Sequence, residues 1–253
     1  MRKLIVIEGV DASGKATQSG ILVDRLTQCG KNVFTMSFPR YNTPTGQVIG
    51  GPYLGKEHIC KSFFDKPSTV DPLIASLYYT ADRIAARDEI ISHLDAGKIG
   101  VFDRYVESNL AHQGAKIHPR LHQSQIITKL RQLDYDYADM PRPSKIICLL
   151  MPYQLSIMLN RERNIVGDGH ESDANYLKNA AKVYNELCIN DGWSIVQCGK
   201  PDSSLLHNFT DQEIMQLSNE EILRLIKVDN IGHLIRSKEH ISDEIFNLVM
   251  EHI

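Results

Sequence analysis

A glycine-rich loop near the N-terminus carries the residues best suited to bind phosphate. Residues 9 to 17 read GVDASGKAT and contain the spacing G-x-x-x-x-G-K between Gly9 and Lys15. The apolar run 4–7 before the loop predicts a buried strand, and apolar residues at helical spacing follow it. In this context the glycines let backbone N–H groups approach an anion, while the helix N-terminus and Lys15 add positive charge. The loop is therefore predicted to bind the phosphates of a nucleotide.

The same spelling occurs a second time in a different context. Residues 50 to 56 read GGPYLGK and also match G-x-x-x-x-G-K. No strand pattern precedes this match, Pro52 lies inside it and Glu57 follows it. The context that gives the first match its meaning is missing, so residues 50–56 are interpreted as a surface loop.

A second polar group follows another apolar run. Asp103 and Arg104 come directly after residues 99–102, a predicted buried strand. A carboxylate at this position can reach Mg²⁺ bound to nucleotide phosphates, and the arginine can bind a phosphate with both arms of its guanidinium group. The alternatives are that Asp103 caps the next helix and that Arg104 makes a surface ion pair.

Strands and helices alternate along the chain, which predicts where these groups meet. Strand patterns at 4–7, 32–36, 99–102, 146–150 and 193–198 are separated by helical patterns. This alternation predicts an α/β fold with three layers, a five-stranded parallel sheet covered by helices on both faces, as in P-loop NTPases. Ligands of such sheets bind beyond the carboxyl ends of the strands. The tail from Gly199 to Gly232 shows no strand pattern, and an amphipathic helix follows it.

Composition limits the class of protein. The chain has 253 residues, 42% hydrophobic and 23% charged, with a formal net charge of -3. We expect a single domain with an appendage, no nucleic-acid partner and no membrane association. The apolar run after Met1 stops at Glu8, too short for a signal peptide or a membrane span. Five cysteines without a C-x-x-C pair predict reduced thiols and a cytoplasmic protein.

Several motifs in the same order give the chain a family resemblance. The glycine loop, Phe38-Pro39-Arg40-Tyr41, Asp103-Arg104-Tyr105, Ser108-Asn109 and Gln113-Gly114 together resemble the thymidylate kinases. The similarity covers residues 3 to 198, and the pattern resumes in the final helix after Ile235-Arg236-Ser237. The resemblance implies transfer of the γ-phosphoryl group of ATP to dTMP with Mg²⁺, in a single P-loop kinase domain over residues 1–253 that forms a homodimer.

The resemblance also implies roles for individual residues. The ATP phosphates would be bound by the loop and the first turn of its helix: Gly9, Asp11, Ala12, Ser13, Gly14, Lys15, Ala16 and Thr17. Mg²⁺ would be held by Asp103 and Asp11. The dTMP site would comprise Asp11, Phe38, Arg40, Tyr41, Tyr79, Arg83, Arg104, Ser108, Asn109, His112 and Gln113. Among these, Arg40, Tyr41 and Arg104 would hold its phosphate, Tyr79 would stack on thymine, and Arg83 and Asn109 would hydrogen-bond the base.

Three positions or segments depart from the family pattern. Ala16 stands where a hydroxyl side chain normally binds Mg²⁺, and Ala12 stands where some members have a catalytic arginine. The resemblance then places the catalytic cations in a lid at about 160–173, with Arg161 and Arg163 joining Lys15, Asp11 and Arg104 in the catalytic set. His112 replaces an aromatic that often excludes a ribose 2′-hydroxyl. Residues 199–232 are interpreted as a peripheral insertion whose deletion leaves activity measurable.

Two other functions stay open at this point. Another nucleoside or nucleotide kinase would share the scaffold and differ only in the base pocket. A P-loop regulatory protein without transfer activity is compatible with Ala16 and the long tail. A GTPase is disfavoured because the chain has no N-K-x-D guanine motif.

Overall fold

A computed structural model describes residues 2–56, 58–162 and 174–253, and it has the predicted parallel sheet. The strands are β1 (Lys3–Gly9), β2 (Val33–Ser37), β3 (Ile99–Asp103), β4 (Lys145–Leu150) and β5 (Ser194–Gln197). They pair in the order β2-β3-β1-β4-β5, and every pairing is parallel. This order places β1 at the centre with β3 beside it, so the glycine loop after β1 lies next to Asp103 at the end of β3. The five-stranded α/β prediction is confirmed.

Helices cover both faces of the sheet. Their bounds are α1 (Lys15–Gln28), α2 (Pro44–Val48), α3 (Pro72–Asp95), α4 (Val106–Gly114), α5 (Arg120–Gln132), α6 (Tyr153–Glu162), α7 (Ala174–Asp191), α8 (Asp211–Gln216), α9 (Asn219–Leu225) and α10 (Lys238–Met250). α2 and α5 continue as wider π-helical turns, Ile49–Tyr53 and Leu133–Tyr137. Asp71 caps α3 by accepting from the N–H groups of Leu73 and Ile74. All five cysteines are free thiols, and none of the described helices has the length and apolar character of a membrane span.

The second glycine match is not a surface loop, which corrects the prediction for residues 50–56. Ile49 and Tyr53 are fully buried in a small hydrophobic cluster with Leu54, Val70 and Ala75. Gly50 allows close packing because a Cβ there would lie 2.4 Å from Ile59 Cδ1. The short-range pattern missed this helical segment because its burial depends on the distant helix α3.

A partly buried lysine ties this cluster to the end of α4. Lys116 Nζ donates to Tyr53 Oη (3.0 Å), to the Pro67 carbonyl (3.1 Å) and to the Val70 carbonyl (3.2 Å). An ammonium group has three donors, and all three are used here. Tyr53 and the turn 67–70 are thereby held against the end of the helix that carries Asn109 and His112.

The tail packs as part of the main core rather than as a peripheral segment. Its apolar side chains Leu206, Ile214, Ile222, Leu223, Ile231 and Leu234 are buried in the same cluster as the sheet. Capping boxes begin two of its helices, formed by Thr210 with Glu213 and by Ser218 with Glu221. Removing residues 202–230 would expose core side chains. The expectation that this deletion leaves a folded, active enzyme therefore loses its basis.

Candidate active site

The glycine loop has the backbone geometry of an anion cradle. Gly9 ends β1 with a φ of +144°, and a Cβ there would lie 2.5 Å from the Leu149 carbonyl oxygen, so only glycine fits. Gly14 has a φ of +91° and is the N-cap of α1 without a side-chain cap. The first N–H groups of α1 therefore lack a capping side chain and face the space in front of the loop. Ser13 Oγ is buried there without a hydrogen-bond partner among the described residues.

Lys15 holds its charge in a buried position. Its side chain folds back over the loop, and Nζ donates to the Val10 carbonyl at 2.6 Å. Burial, followed by repulsion from Arg104, lowers the pKa of Lys15 to about 8, while Asp11, Asp103 and Glu8 oppose that shift. A phosphate bound in the loop would supply the anion that this ammonium group needs.

Arg104 connects the glycine loop to α4. Its Nη2 donates to Asp11 Oδ1, and its Nη1 lies 3.3 Å from both Ser108 Oγ and His112 Nε2. The backbone of Arg104 has a φ of +65°, a left-handed conformation that costs free energy for a residue with a long side chain. Backbone strain of this kind is concentrated at functional sites, which agrees with a role in substrate binding.

His112 is held in its neutral form. An arginine can only donate, so His112 Nε2 accepts from Arg104. Nδ1 lies 2.9 Å from Tyr176 Oη, which donates to the His112 carbonyl at 3.3 Å, so Nδ1 carries the proton. Burial is the main cause that lowers the pKa of His112 to about 3. His112 therefore orients Arg104 at neutral pH.

Beneath these groups lies a carboxylate that the sequence analysis did not select. Glu8 is fully buried and accepts from the N–H groups of Tyr105 (2.9 Å) and Ser108 (3.0 Å), from Ser108 Oγ (2.6 Å) and from Tyr184 Oη (3.1 Å). These bonds fix the start of α4 against the end of β1. The one available sequence signal is a charged residue that ends an otherwise apolar strand.

A cavity of about 290 Å³ opens between the glycine loop, α3 and α4. The structure brings together at its walls most of the predicted dTMP residues: Asp11, Phe38, Tyr41, Tyr79, Arg83, Arg104, Ser108, Asn109, His112 and Gln113. Leu54, Lys56 and Tyr176 also line it, and the sequence analysis did not select them. A volume of this size suits a single nucleoside monophosphate better than a larger ligand.

Arg40 lies beside the cavity and is held by a buried carboxylate. Asp82 accepts from the Arg40 backbone N–H (2.8 Å) and from Arg40 Nε (3.3 Å), and Arg40 Nη2 donates to the Asp82 carbonyl at 3.0 Å. Arg40 itself is not among the residues that line the cavity, although its neighbours Pro39 and Tyr41 are. Asp82 stands next to Arg83 in the sequence, but nothing in the pattern there points to Arg40.

Arg83 and Asn109 present hydrogen-bonding groups at the cavity. Arg83 Nε and Nη2 donate to Asp134, and Nη1 takes no part in these bonds. Ser76 Oγ donates to the Pro72 carbonyl at 2.6 Å and lies 3.4 Å from Asn109 Oδ1, and Asn109 Nδ2 is buried without a hydrogen-bond partner among the described residues. Turning the amide over would let Nδ2 donate to Ser76 Oγ, whose own hydrogen is already used, and would leave the Asn109 carbonyl oxygen for a ligand.

The metal prediction can be tested on the donor atoms present. Asp103 Oδ1 is buried and has no hydrogen-bond partner among the described residues, as expected for a carboxylate that awaits a hydrated cation. Mg²⁺ keeps several waters and binds proteins through one or two carboxylates together with substrate phosphates. Ala16 and Thr17 are both exposed in the first turn of α1. The residues present therefore fit Mg²⁺ without the usual hydroxyl ligand at residue 16.

The two predicted lid arginines have different outcomes. Arg161 is at the end of α6 and donates to three carbonyls of the tail, those of Ile214 (2.5 Å), Met215 (3.0 Å) and Leu217 (2.9 Å). It thus binds the end of α8 in this structure and does not line the cavity. Arg163 and most of the predicted lid lie outside the described residues.

Glu107 gives a pH-dependent prediction. Burial, followed by the charge of Glu8, raises the pKa of Glu107 to about 7 from 4.5, and Tyr135 Oη donates to it at 2.5 Å. The folded protein therefore retains a proton that the unfolded chain releases, so this contribution to stability is present below pH 4.5 and is lost as pH rises to about 7. As pH rises from 4.5 to about 7, the unfolding free energy of the wild type should fall relative to that of Glu107→Gln, as measured by urea denaturation at several pH values. If the unfolding free energy changed with pH equally in both proteins, the raised pKa assigned to Glu107 would be contradicted.

Comparison with known proteins identifies the family. The family model for thymidylate kinase matches residues 7–209. The chain belongs to the thymidylate kinase family. It is 28% identical to a thymidylate kinase of Mycobacterium tuberculosis H37Rv over 195 residues, 75% of this chain and 87% of that protein. It is 25% identical to the human thymidylate kinase over 233 residues, 91% of this chain and 96% of that protein. As a member of the thymidylate kinases it is a nucleoside monophosphate kinase, which is a phosphotransferase.

Proposed function

We propose that this thymidylate kinase family member transfers the γ-phosphoryl group of ATP to dTMP, using Mg²⁺. The observation that carries the proposal is that one cavity is lined both by a donor, Arg83, and by an amide that can accept once it is turned over, Asn109. Thymine offers a carbonyl at its 4-position and an N–H at its 3-position. The Arg83 guanidinium can donate to the carbonyl, and the Asn109 carbonyl can accept from the N–H.

Cytosine would meet the same two groups with the wrong pattern. Its 4-amino group is a donor that faces the donor of Arg83, and its unprotonated ring nitrogen is an acceptor that faces Asn109. A buried group left without its hydrogen bond makes such a site reject the analogue strongly. Tyr79 is the aromatic that would stack on either ring, and it packs edge-on against Tyr53 with ring centroids 5.9 Å apart.

Phosphate groups would be bound at the opposite side of the site. Arg104 would bind the dTMP phosphate, and Arg40 and Tyr41 would approach the same group from the end of β2. Asp11 binds Arg104 here and would lie near the sugar and the metal. The ATP phosphates would occupy the glycine loop in front of α1, with Lys15 beside them.

Catalysis would consist mainly of positioning and charge stabilisation, since phosphoryl transfer needs little covalent help from the protein. Asp103 and Asp11 would hold Mg²⁺, which when bound would neutralise charge on the transferring group. Lys15 would hold the ATP phosphates, and Arg104 would keep the dTMP phosphate aligned with them. Arg161 and Arg163 would add positive charge from the lid.

Arg161 gives a test that separates catalysis from anchoring. To bind a phosphate, Arg161 would have to give up its three hydrogen bonds to carbonyls, which offsets part of the transition-state stabilisation it could add. Arg161→Ala should therefore lower kcat by about tenfold, a smaller loss than that expected for an arginine without such bonds. Arg161→Lys, which keeps the charge, is the matched control and should retain most of kcat. If Arg161→Ala lowers only Tm and leaves kcat unchanged, Arg161 anchors the tail and has no role in transfer.

A homodimer in the cytoplasm completes the proposal. The long helix α3 exposes Leu73, Ile74, Leu77 and Ile84, and Leu77 is 52% exposed. An exposed apolar stripe at helical spacing supports association with a second copy of the chain. The free thiols of all five cysteines support a reducing compartment.

The base-reading role of Arg83 is tested by kcat/KM for dTMP and dCMP. We expect dTMP and dUMP to be substrates and dCMP a very poor one. Arg83→Gln should lower the ratio of kcat/KM for dTMP to kcat/KM for dCMP, because an amide presents either a donor or an acceptor. Tyr79→Leu, the matched control, should weaken dTMP and dCMP together. An unchanged ratio in Arg83→Gln would show that another residue reads the base.

A further inference from the structure

We infer that Asp134 determines base specificity by fixing the orientation of Arg83, an inference that rests on the proposed function. Asp134 Oδ1 accepts from Arg83 Nε and Oδ2 accepts from Arg83 Nη2, both at 2.9 Å. The Arg83 side chain is 2% exposed and that of Asp134 is 0% exposed. Arg83 Nη2 also donates to Thr80 Oγ1 at 3.3 Å, one turn earlier in α3. Three of the five arginine hydrogens are thus committed.

The two hydrogens of Arg83 that remain for a ligand are both on Nη1. A guanidinium group is planar and rigid, so binding Asp134 along the Nε–Nη2 edge turns the Nη1 hydrogens away from that carboxylate. Arg83 lines the cavity, whereas Asp134 lies behind it and is not part of the cavity wall. Asp134 therefore acts on a bound base only through the position of Arg83.

Charge explains why a second carboxylate is needed at this site. Arg104 faces Asp11 and a proposed phosphate, but Arg83 faces a proposed thymine ring, which carries no charge. A desolvated guanidinium without a counter-charge is unstable, so the protein must supply one. Asp134 supplies it at a place where it cannot contact the base. Buried ion pairs rarely stabilise a fold more than apolar residues of similar volume do, so the pair is better explained by orientation than by stability.

The test compares base discrimination in variants of the full chain. The readouts are the Kd values for dTMP and dCMP by calorimetry and the kcat/KM ratio for the same nucleotides. In Asp134→Asn we expect both the Kd preference and the kcat/KM preference for dTMP over dCMP to fall by at least about tenfold, because the guanidinium loses its fixed orientation. The Kd for an ATP analogue should stay unchanged, which reports an intact glycine loop.

Two further variants keep the test decisive. Asp136→Asn, two residues along the same turn, removes an exposed carboxylate that binds Arg142 and should leave both preferences unchanged. If Asp134→Asn does not fold, Asp134→Glu keeps the charge pair but displaces the guanidinium, and it should also lower the preference. An unchanged preference in either folded Asp134 variant would overturn the inference. A wild type that prefers dTMP in binding but does not phosphorylate it would instead contradict the proposed function.

Discussion

Replacing Lys15 with alanine should lower kcat for dTMP phosphorylation by about 10³ or more while the protein stays folded. One preorganised donor aimed at developing charge contributes about 10² to 10³ to kcat, and Lys15 adds a full positive charge. The fold should not suffer, because Nζ donates within the loop itself, to the Val10 carbonyl, and makes no hydrogen bond to a distant element among the described residues. Burial lowers the pKa of Lys15 to about 8, so the charged form costs stability that alanine would restore.

The measurement for Lys15 is steady-state kcat together with Tm. Lys129→Ala, an exposed lysine on α5, is the matched control and should leave both quantities unchanged. Normal turnover in Lys15→Ala would remove the basis for placing the ATP phosphates in the glycine loop. A fall in Tm with a proportional fall in activity would mean that Lys15 is structural.

Arg104→Ala should lower kcat/KM for dTMP by about 10³, through both binding and alignment. The change removes the guanidinium group that donates to Asp11 and His112, together with the proposed phosphate contact. It also keeps a non-glycine residue at a φ of +65°, so backbone strain is not the variable under test. Arg104→Lys keeps the charge but loses the two-armed geometry and should recover only part of the rate.

Arg120→Ala is the control for Arg104. Arg120 is an exposed arginine whose guanidinium lies 3.6 Å from the Glu186 carboxylate in a surface ion pair. It should leave kcat/KM unchanged. If Arg104→Ala retained the wild-type KM for dTMP and the wild-type kcat, the phosphate of dTMP would have to bind elsewhere.

Local sequence patterns were sufficient for the sheet and for the groups at its edge. Apolar runs predicted all five strands, and parallel strands bring their carboxyl ends together, so the glycine loop and Asp103 were predicted as neighbours. The caps formed by Asp71, Thr210 and Ser218 are local features of the same kind, because a cap depends on residues two or three positions away.

Contacts between segments that are distant in the sequence could not be predicted from local sequence patterns. Asp134 is 51 residues from Arg83, and nothing in its own neighbourhood marks it as the partner of that arginine. The segment 49–53 was misinterpreted because its burial depends on packing against α3. The tail was interpreted as peripheral because the family pattern resumes after it, and the packing of its apolar side chains into the main core depends on the tertiary fold. One sequence supplies periodicity and motifs, but tertiary partners need the fold.

The most direct measurement is the separation of products after the purified protein is mixed with ATP, Mg²⁺ and an equimolar panel of nucleoside monophosphates. We expect one ADP per dTDP formed, with dUMP also converted and dCMP, dAMP and dGMP left almost unchanged. Binding of ATP and dTMP without any dTDP would contradict transfer. Faster conversion of dCMP than of dTMP would contradict the base reading by Arg83 and Asn109.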